Sequence, residues 1–216
     1  MSSVPGGTRR IGVMGGTFDP IHLGHLIAAS EVRHHFQLDR IMFVPTGQPW
    51  QKDSFSDPED RYQMTVLGAA TNPFFAVSRM EIDRLGPTFT VDTLRALRDF
   101  HGPKTSLFFI LGADAALKLG TWHHVEGLED LAEVIAVARP GFDLGLLDLK
   151  PGWPRVKVLS MLQIDISSSD IRERVQAGRP IHYLVPQSVE RYIRERGLYL
   201  EANRGPGTQV GEGAGA

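Results

Sequence analysis

Short apolar runs alternate along the chain with longer stretches of helical periodicity. The first run, residues 10–14, is bounded by glycine, as is typical of a buried strand in a parallel sheet. After it, Leu26, Ala29, Val32 and Phe36 recur at the spacing of one helix face. The pattern therefore predicts a strand, a loop and a helix, in that order.

Further apolar runs predict more strands, separated by helical stretches. These runs are residues 40–45, 75–78, 106–111, 134–138 and 156–159. Asp57 and Thr90 are predicted helix caps, and Pro186 precedes a last apolar stripe that Gly197 closes. Alternating strands and helices with connections of this length predict an α/β fold, a Rossmann-like open parallel sheet with helices on both faces.

Composition is that of an ordinary globular protein. The chain has 216 residues, of which 42% are hydrophobic and 22% are charged, enough for one α/β domain with a sizeable core. We assign this domain to residues 10–202. We expect disorder in residues 1–9 and in the glycine-rich residues 203–216.

Charge and cysteine content narrow the class of function. The formal net charge is −2, so no overall basic field attracts nucleic acid or an anionic membrane. The absence of cysteine excludes a disulfide framework. The most apolar run, residues 107–113, is too short to span a membrane, and residues 1–10 lack the apolar segment of a signal peptide. We therefore expect a cytoplasmic protein without a nucleic-acid or membrane partner.

The stretch that joins the first strand to the first helix predicts an anion site. Gly15 and Gly16 lack a Cβ, so the backbone can turn sharply and bring its N–H groups close to a phosphate. The helix that begins near Leu23 would aim its free amides at the same anion. His22 and His25 would lie on one side of the helix start, above the carboxyl edge of the sheet, where open α/β sheets bind ligands.

Other interpretations of this stretch stay open from the residues alone. It is neither a Gly-x-Gly-x-x-Gly dinucleotide motif nor a P-loop, because the chain contains no Gly-Lys pair. The two histidines could cap or pack the helix start. They could also hold zinc, with Asp19 as a third ligand.

A second anion element is predicted at residues 166–172. Ser167, Ser168 and Ser169 open a predicted helix that also carries Arg172, so hydroxyls, free amides and a guanidinium can converge there. The alternative is that the serines only cap the helix.

Both elements resemble motifs of one enzyme superfamily. Residues 15–26 resemble the signature of the HxGH nucleotidyltransferases, and residues 166–172 are similar to the ISSTxIR motif of the same superfamily. These enzymes move a nucleoside monophosphate from a triphosphate to an acceptor and release pyrophosphate. The resemblance implies the same class of reaction for this chain.

Stretches between the two motifs resemble the nicotinate-nucleotide adenylyltransferases in particular. They are residues 44–52, 86–94, 111–114, 121–122 and 139–141. Phosphopantetheine adenylyltransferases share the two phosphate motifs but not these stretches. The resemblance, which spans roughly residues 11–200, therefore implies ATP and nicotinate mononucleotide as substrates and deamido-NAD as product. It departs at Trp50 and Gln51, because many members have a histidine just before the position of Lys52.

The resemblance also implies roles for individual residues. It assigns catalysis to His25, His22 and Thr17. It assigns ATP and phosphate binding to Gly15, Gly16, Phe18, Lys52, Ser167, Ser168 and Arg172. It assigns binding of nicotinate mononucleotide and ribose to Thr88, Phe89, Thr90, Asp114, Trp122 and Arg139.

Structural roles for several of these residues are the alternatives. Residues 88–90 could end a strand and cap a helix, and Trp122 could belong to the core. Asp114 could cap a helix over residues 115–119, and Arg139 could pair with Asp143 at the surface. Lys52 could be a solvated loop lysine.

The expected cofactor is magnesium that arrives with ATP, since the sequence offers no compact carboxylate cage and we assign no metal ligands. Rival functions are a sister enzyme with nicotinamide mononucleotide or phosphopantetheine as acceptor, and a nucleotide-binding protein without turnover. The sequence leaves open whether the chain forms a homo-oligomer.

Overall fold

Six parallel strands form the centre of the fold. The structure is a computed structural model that describes residues 9–48, 56–138, 153–161 and 164–200. The strands are β1 (Arg9–Gly16), β2 (Arg40–Pro45), β3 (Phe75–Val77), β4 (Thr105–Gly112), β5 (Glu133–Ala138) and β6 (Val156–Ser160). Their order in the sheet is β3-β2-β1-β4-β5-β6, and every pairing is parallel. The predicted open parallel sheet is confirmed.

Helices connect these strands. They are α1 (Leu23–His35), α2 (Pro58–Ala69), α3 (Thr90–His101), α4 (Ala113–Ala116), α5 (Ser168–Gln176) and α6 (Gln187–Arg196). Two short 3-10 helices, Leu119–Thr121 and Val125–Leu128, follow α4. Within the described ranges, no helix is long and apolar enough to cross a membrane.

The sheet separates two hydrophobic cores, so helices cover both of its faces as predicted. One core packs α1, α2, α5 and α6 against side chains such as Met14 of β1. The other packs α3 and the segments after β4 against side chains such as Val13, the neighbouring residue of β1. Successive strand residues face opposite sides of a sheet, which is why adjacent positions of β1 serve different cores.

Local sequence signals account for some of the helix ends. The Asp57 carboxylate accepts the Glu59 N–H at 2.8 Å and caps α2, as predicted. Gly197, at φ 59°, ends α6 in the left-handed region that favours glycine. The predicted cap of α3 is wrong, because Phe89 occupies the cap position and Thr90 is the first helical residue.

The strand order places a crevice between β1 and β4. The chain leaves β1 towards β2 on one side and returns to β4 on the other, so the strand order reverses between these two neighbours. Ligands of open α/β sheets bind at such a reversal, beyond the carboxyl ends of the strands. β1 already begins at Arg9, one residue before the predicted start of the domain.

Candidate active site

A cleft opens at the carboxyl ends of β1 and β4. Its larger part, which we call the large chamber, has a volume of about 810 Å³. A smaller part of about 210 Å³, the small chamber, adjoins it. Residues that line both chambers are Gly15, Gly16, Thr17, Phe109, Ala115 and Trp122. The two chambers are therefore parts of one continuous cleft.

The large chamber brings the two predicted phosphate motifs together. His22 and His25 line it from the start of α1. Ser167, Ser168 and Arg172 line it from the start of α5. The predicted convergence of the early histidines and the late serine–arginine segment on one cleft is observed.

The backbone turn of the first motif lies later than predicted. Gly15 and Gly16 are the last residues of β1 and neither has a positive φ, so the expected sharp turn at this pair is wrong. The residue in the left-handed region is Phe18, at φ 51°. A Cβ on Gly16 would lie 3.1 Å from the Phe18 ring, so glycine is needed there for the close approach of that ring.

The two histidines form a stacked pair at the start of α1. Their ring centroids are 3.7 Å apart, and the rings are inclined by 25°. The backbone N–H of His22 donates to Nδ1 of His25 at 3.3 Å. Because Nδ1 of His25 accepts a hydrogen bond, the neutral imidazole carries its proton on Nε2. Gly24 makes room for this pair, since a Cβ there would lie 3.0 Å from Nδ1 of His22.

Burial keeps the first histidine of the pair uncharged. Only 6% of His22 is exposed, and burial lowers its pKa from 6.5 to about 4. His22 is therefore neutral near pH 7 and can act on a phosphate only as an N–H donor. It also occupies the cap position of α1, so the capping interpretation is correct for this residue.

Asp19, which could be a third zinc ligand on the sequence alone, has other partners. Asp19 Oδ1 accepts the hydroxyl of Tyr199 at 2.7 Å, and Asp19 Oδ2 accepts the N–H of Ser56 at 3.3 Å. Over the parts of the chain that the structure describes, no group of three or more His, Cys, Asp or Glu side chains could hold a metal ion. The zinc interpretation therefore finds no support in this geometry.

The serine–arginine segment also holds the first motif in place. Ser168 Oγ donates to the Pro20 carbonyl at 2.9 Å, and Nη1 of Arg172 donates to the Asp19 carbonyl at 2.8 Å. Ser167 Oγ accepts the N–H of Asp170 at 3.1 Å and caps α5, as the alternative interpretation has it. These contacts fix the start of α5 against the loop that follows β1.

The small chamber is lined by four of the residues predicted to bind nicotinate mononucleotide. Thr88, Phe89, Thr90 and Trp122 all line it. Phe89 stacks on His123, with ring centroids 4.2 Å apart and an inclination of 20°. Trp122 lines both chambers and is half-buried, and it also packs against the second core, so both interpretations hold for this residue.

Other predicted site residues take different positions. Asp114 lines the large chamber and not the small one. It lies in the first turn of α4, whose cap residue is Gly112, so the interpretation of Asp114 as a helix cap is wrong. Lys52 and Arg139 lie outside the described residues, as do Trp50, Gln51 and Asp143.

Sequence reasoning missed a buried carboxyl group in the small chamber. Glu81 is only 7% exposed, and its Oε1 accepts the Thr93 hydroxyl at 2.5 Å. Burial raises the pKa of Glu81, although the hydrogen bond from Thr93 opposes the shift. His123 was also missed, although it stands next to Trp122 in the sequence.

Comparison with known proteins shows the family of the chain. The family described as cytidylyltransferase-like matches residues 13–174. A protein of Clavibacter michiganensis named "Probable nicotinate-nucleotide adenylyltransferase" is 55% identical over 192 residues, which cover 88% of this chain and 94% of that protein. The chain belongs to this adenylyltransferase family. A member of the same name from Saccharopolyspora erythraea is 51% identical over 205 residues, covering 94% of this chain and 95% of its own.

A solved structure supports the adenylyltransferase fold. The nicotinic acid mononucleotide adenylyltransferase of Plasmodium falciparum, complexed with NaAD, aligns with a TM-score of 0.73 and 21% identity. The alignment covers 88% of this chain and 97% of that one. The family resemblance inferred from the motifs is confirmed.

Proposed function

We infer that the chain transfers the adenylyl group of ATP to nicotinate mononucleotide, which forms deamido-NAD and pyrophosphate and belongs to NAD biosynthesis. One observation carries this inference. This chain is 55% identical to a relative named for the activity, and one cleft is lined by both of its phosphate motifs and by residues predicted to bind the acceptor substrate. The P. falciparum enzyme in its complex with NaAD holds the dinucleotide that this reaction would form.

The reaction is an in-line displacement at phosphorus. A 5′-phosphate oxygen of nicotinate mononucleotide forms a bond to the α-phosphorus of ATP, and the bond from that phosphorus to the leaving pyrophosphate oxygen breaks. The acceptor phosphate is already ionised near pH 7, so the reaction needs neither a covalent nucleophile nor a strong base. Catalysis then depends on positioning and on stabilising negative charge.

Donors in the large chamber are suited to this charge. We assign Nε2–H of His25 to the oxygens of the transferring and leaving phosphates, because its Nδ1 is held by the His22 backbone. Neutral His22 is a second N–H donor. The Thr17 hydroxyl, which lines both chambers, orients the transferring phosphate between the two substrates.

The remaining phosphate contacts are assigned to the edges of the same chamber. Backbone amides along Gly15, Gly16 and Phe18 face the triphosphate from the first motif. Ser167, Ser168 and Arg172 approach it from the start of α5, where Arg172 adds positive charge. Lys52, which lies between β2 and α2 in the sequence, is proposed to add a second cation.

The small chamber is proposed to hold the nicotinate mononucleotide. The Trp122 indole offers a face for the pyridine ring, and the segment from Thr88 to Thr90 surrounds the rest of the pocket. Arg139 follows β5 and is assigned to the acceptor phosphate. Asp114 accepts ribose hydroxyls, and its place in the large chamber favours the ribose that lies nearest the triphosphate.

Magnesium is proposed to enter with ATP, bridging its phosphate oxygens, as part of the substrate. Among the described residues, no group of three or more His, Cys, Asp or Glu side chains could hold a metal ion, and we assign no residue to the magnesium. We propose that the enzyme works in the cytoplasm, where ATP is available.

A panel of acceptors tests the proposed function. The protein is incubated with ATP, magnesium and either nicotinate mononucleotide, nicotinamide mononucleotide or phosphopantetheine, and the adenylylated product and pyrophosphate are quantified. We expect the largest kcat/KM with nicotinate mononucleotide. A preference for either other acceptor would indicate a sister enzyme. Binding of ATP without product from any acceptor would indicate a nucleotide-binding protein without turnover.

A further inference from the structure

A fully buried arginine lies beneath the cleft without lining it. Arg61 of α2 has 0% exposure, although an arginine is rarely so enclosed unless its charge and donors are satisfied. Its Nε donates to the Ser56 carbonyl at 3.3 Å, and its Nη2 donates to the Gly47 carbonyl at 2.8 Å. Its Nη1 donates to the carbonyls of Thr17, at 3.1 Å, and Thr46. One guanidinium therefore joins three separate segments of backbone.

Two of these segments form the wall of the cleft. Thr17 follows β1 and lines both chambers, whereas Thr46 follows β2 and lines the small chamber. The Thr46 N–H also donates to the Gly16 carbonyl at 3.0 Å. Arg61 thus holds the ends of two neighbouring strands at the edge where the substrates would bind.

These bonds also fix the direction of backbone amides. In a trans peptide the C=O and the following N–H point in opposite directions. Because Arg61 donates to the Thr17 carbonyl, that carbonyl points towards Arg61. The N–H of Phe18, in the same peptide, therefore points away from Arg61. The N–H of Gln48, which follows the Gly47 carbonyl, is already used in the bridge between Gln48 and Pro87, because Pro87 has no N–H to donate. Phe18 lines the large chamber, whereas Gln48 lines neither chamber.

The conformation at Phe18 needs such support. Its φ of 51° lies in the left-handed region, which is costly for a residue with a Cβ. The bond from Arg61 to the preceding carbonyl offsets that cost. Asp19, which directly follows Phe18, also attracts Arg61, and this attraction opposes the larger lowering effect of burial on the pKa of Arg61.

We propose that Arg61 is a positioning residue for adenylyl transfer, which holds the peptide between Thr17 and Phe18 so that the Phe18 N–H is aimed at the transferring phosphate before substrate binds. This inference rests on the proposed function. Arg61 acts through the backbone and touches neither substrate. A preorganised donor of this kind lowers the barrier because it requires no rearrangement in the transition state.

The test replaces the guanidinium but keeps its charge. In Arg61→Lys the ammonium is a compact donor that cannot reach all of the carbonyls that the guanidinium contacts. The matched control is Arg95→Lys, which changes an exposed arginine of α3 that pairs with Asp92. Steady-state kinetics with ATP and nicotinate mononucleotide are measured at a temperature at which circular dichroism shows each protein to be fully folded.

We expect kcat of folded Arg61→Lys to fall about tenfold or more, since one preorganised donor is typically worth ~10²–10³ in rate, while the control keeps the wild-type kcat. Wild-type kcat in folded Arg61→Lys would overturn the proposal.

A second measurement does not require the variant to fold. Isotope-labelled wild-type protein is titrated with α,β-methylene-ATP, and the backbone amide signal of Phe18 is followed by NMR. We expect this signal to shift on saturation; an unshifted Phe18 amide would overturn the proposal. This measurement uses only an ATP analogue. If the wild-type protein binds the analogue but does not use nicotinate mononucleotide, the proposed function is contradicted, whereas the proposed role of Arg61 is not.

Discussion

The hydroxyl of Tyr199 donates a hydrogen bond to Asp19 Oδ1 at 2.7 Å, across a separation of 180 residues. Tyr199 is 7% exposed and Asp19 is 2% exposed, so water does not compete for this bond. The segment after α6 therefore closes the back of the loop that carries the first phosphate motif. Support for the candidate site comes from the far end of the described chain.

Tyr199→Phe tests this support, because it removes the hydroxyl and keeps the ring. A buried carboxylate loses one of its donors, so we expect the free energy of unfolding to fall by about 1.5–3 kcal/mol. Urea denaturation of variant and wild type measures the change. Tyr183→Phe, at a tyrosine that is 79% exposed, is the control and should change stability by less than about 0.5 kcal/mol. Equal effects of the two variants would show that the Asp19 bond contributes nothing particular.

His25 is the side chain on which the proposed chemistry depends most. We expect His25→Ala to lower kcat by about 10²–10³, the typical effect of removing one preorganised donor, and to remain folded. His34→Ala, at an exposed position of the same helix, controls for the loss of an imidazole from α1. Product formation from ATP and nicotinate mononucleotide measures kcat, and circular dichroism checks the fold. An unchanged kcat in His25→Ala would remove this residue from the mechanism.

Local sequence signals predicted most of the secondary structure. Apolar runs marked the strands to within a residue or two, because the central strands β1 and β4 are largely buried on both faces and their apolar signal is nearly continuous. The cap at Asp57 was correct because its contact spans only two residues. The turn at Gly15 and Gly16 was wrong because glycine permits a turn without requiring one, and here it serves close packing against Phe18.

The support beneath the site could not be predicted in this way. Arg61 and Tyr199 contact the first motif across 44 and 180 residues, so no local pattern connects them. A charged residue in a helix is also expected at the surface, whereas Arg61 is enclosed because the carbonyls around it come from loops. The residues of the two chambers were recognisable from their motifs, but their supporting contacts depend on tertiary packing.

The hydrogen bond between Thr93 and Glu81 leads to a prediction about the binding of nicotinate mononucleotide. Both residues line the small chamber, and their bond ties the segment before Thr88 to α3. Thr93→Val keeps the shape of the side chain and removes the donor. We expect a loss of about 1–3 kcal/mol in the free energy of unfolding. We also expect KM for nicotinate mononucleotide to rise about three- to tenfold, which corresponds to ~1 kcal/mol of binding, with little change in KM for ATP.

Thr105→Val is the matched control for that variant. Thr105 is equally buried, and its hydroxyl donates to the His101 carbonyl at 3.1 Å, but it begins β4 at the edge of the sheet opposite the cleft. Its replacement should reduce stability and leave both KM values unchanged. If Thr93→Val and Thr105→Val have the same kinetics, Glu81 has no part in shaping the acceptor pocket.

The buried, neutral His22 predicts a dependence of stability on pH. Burial lowers its pKa from 6.5 to about 4, so between these values the unfolded chain binds a proton that the folded protein excludes. The stabilisation is fully present above pH 6.5 and is lost as the pH falls towards 4. At ~1.4 kcal/mol for each unit of pKa difference, the loss is about 3 kcal/mol.

His22→Asn keeps a good cap residue and removes this titration. Urea denaturation from about pH 7 to pH 4 should show the wild type losing about 3 kcal/mol more than His22→Asn. His35→Asn, at an exposed position of α1, is the control and should follow the wild type more closely. Parallel pH profiles of wild type and His22→Asn would contradict the assignment of His22 as a buried neutral donor.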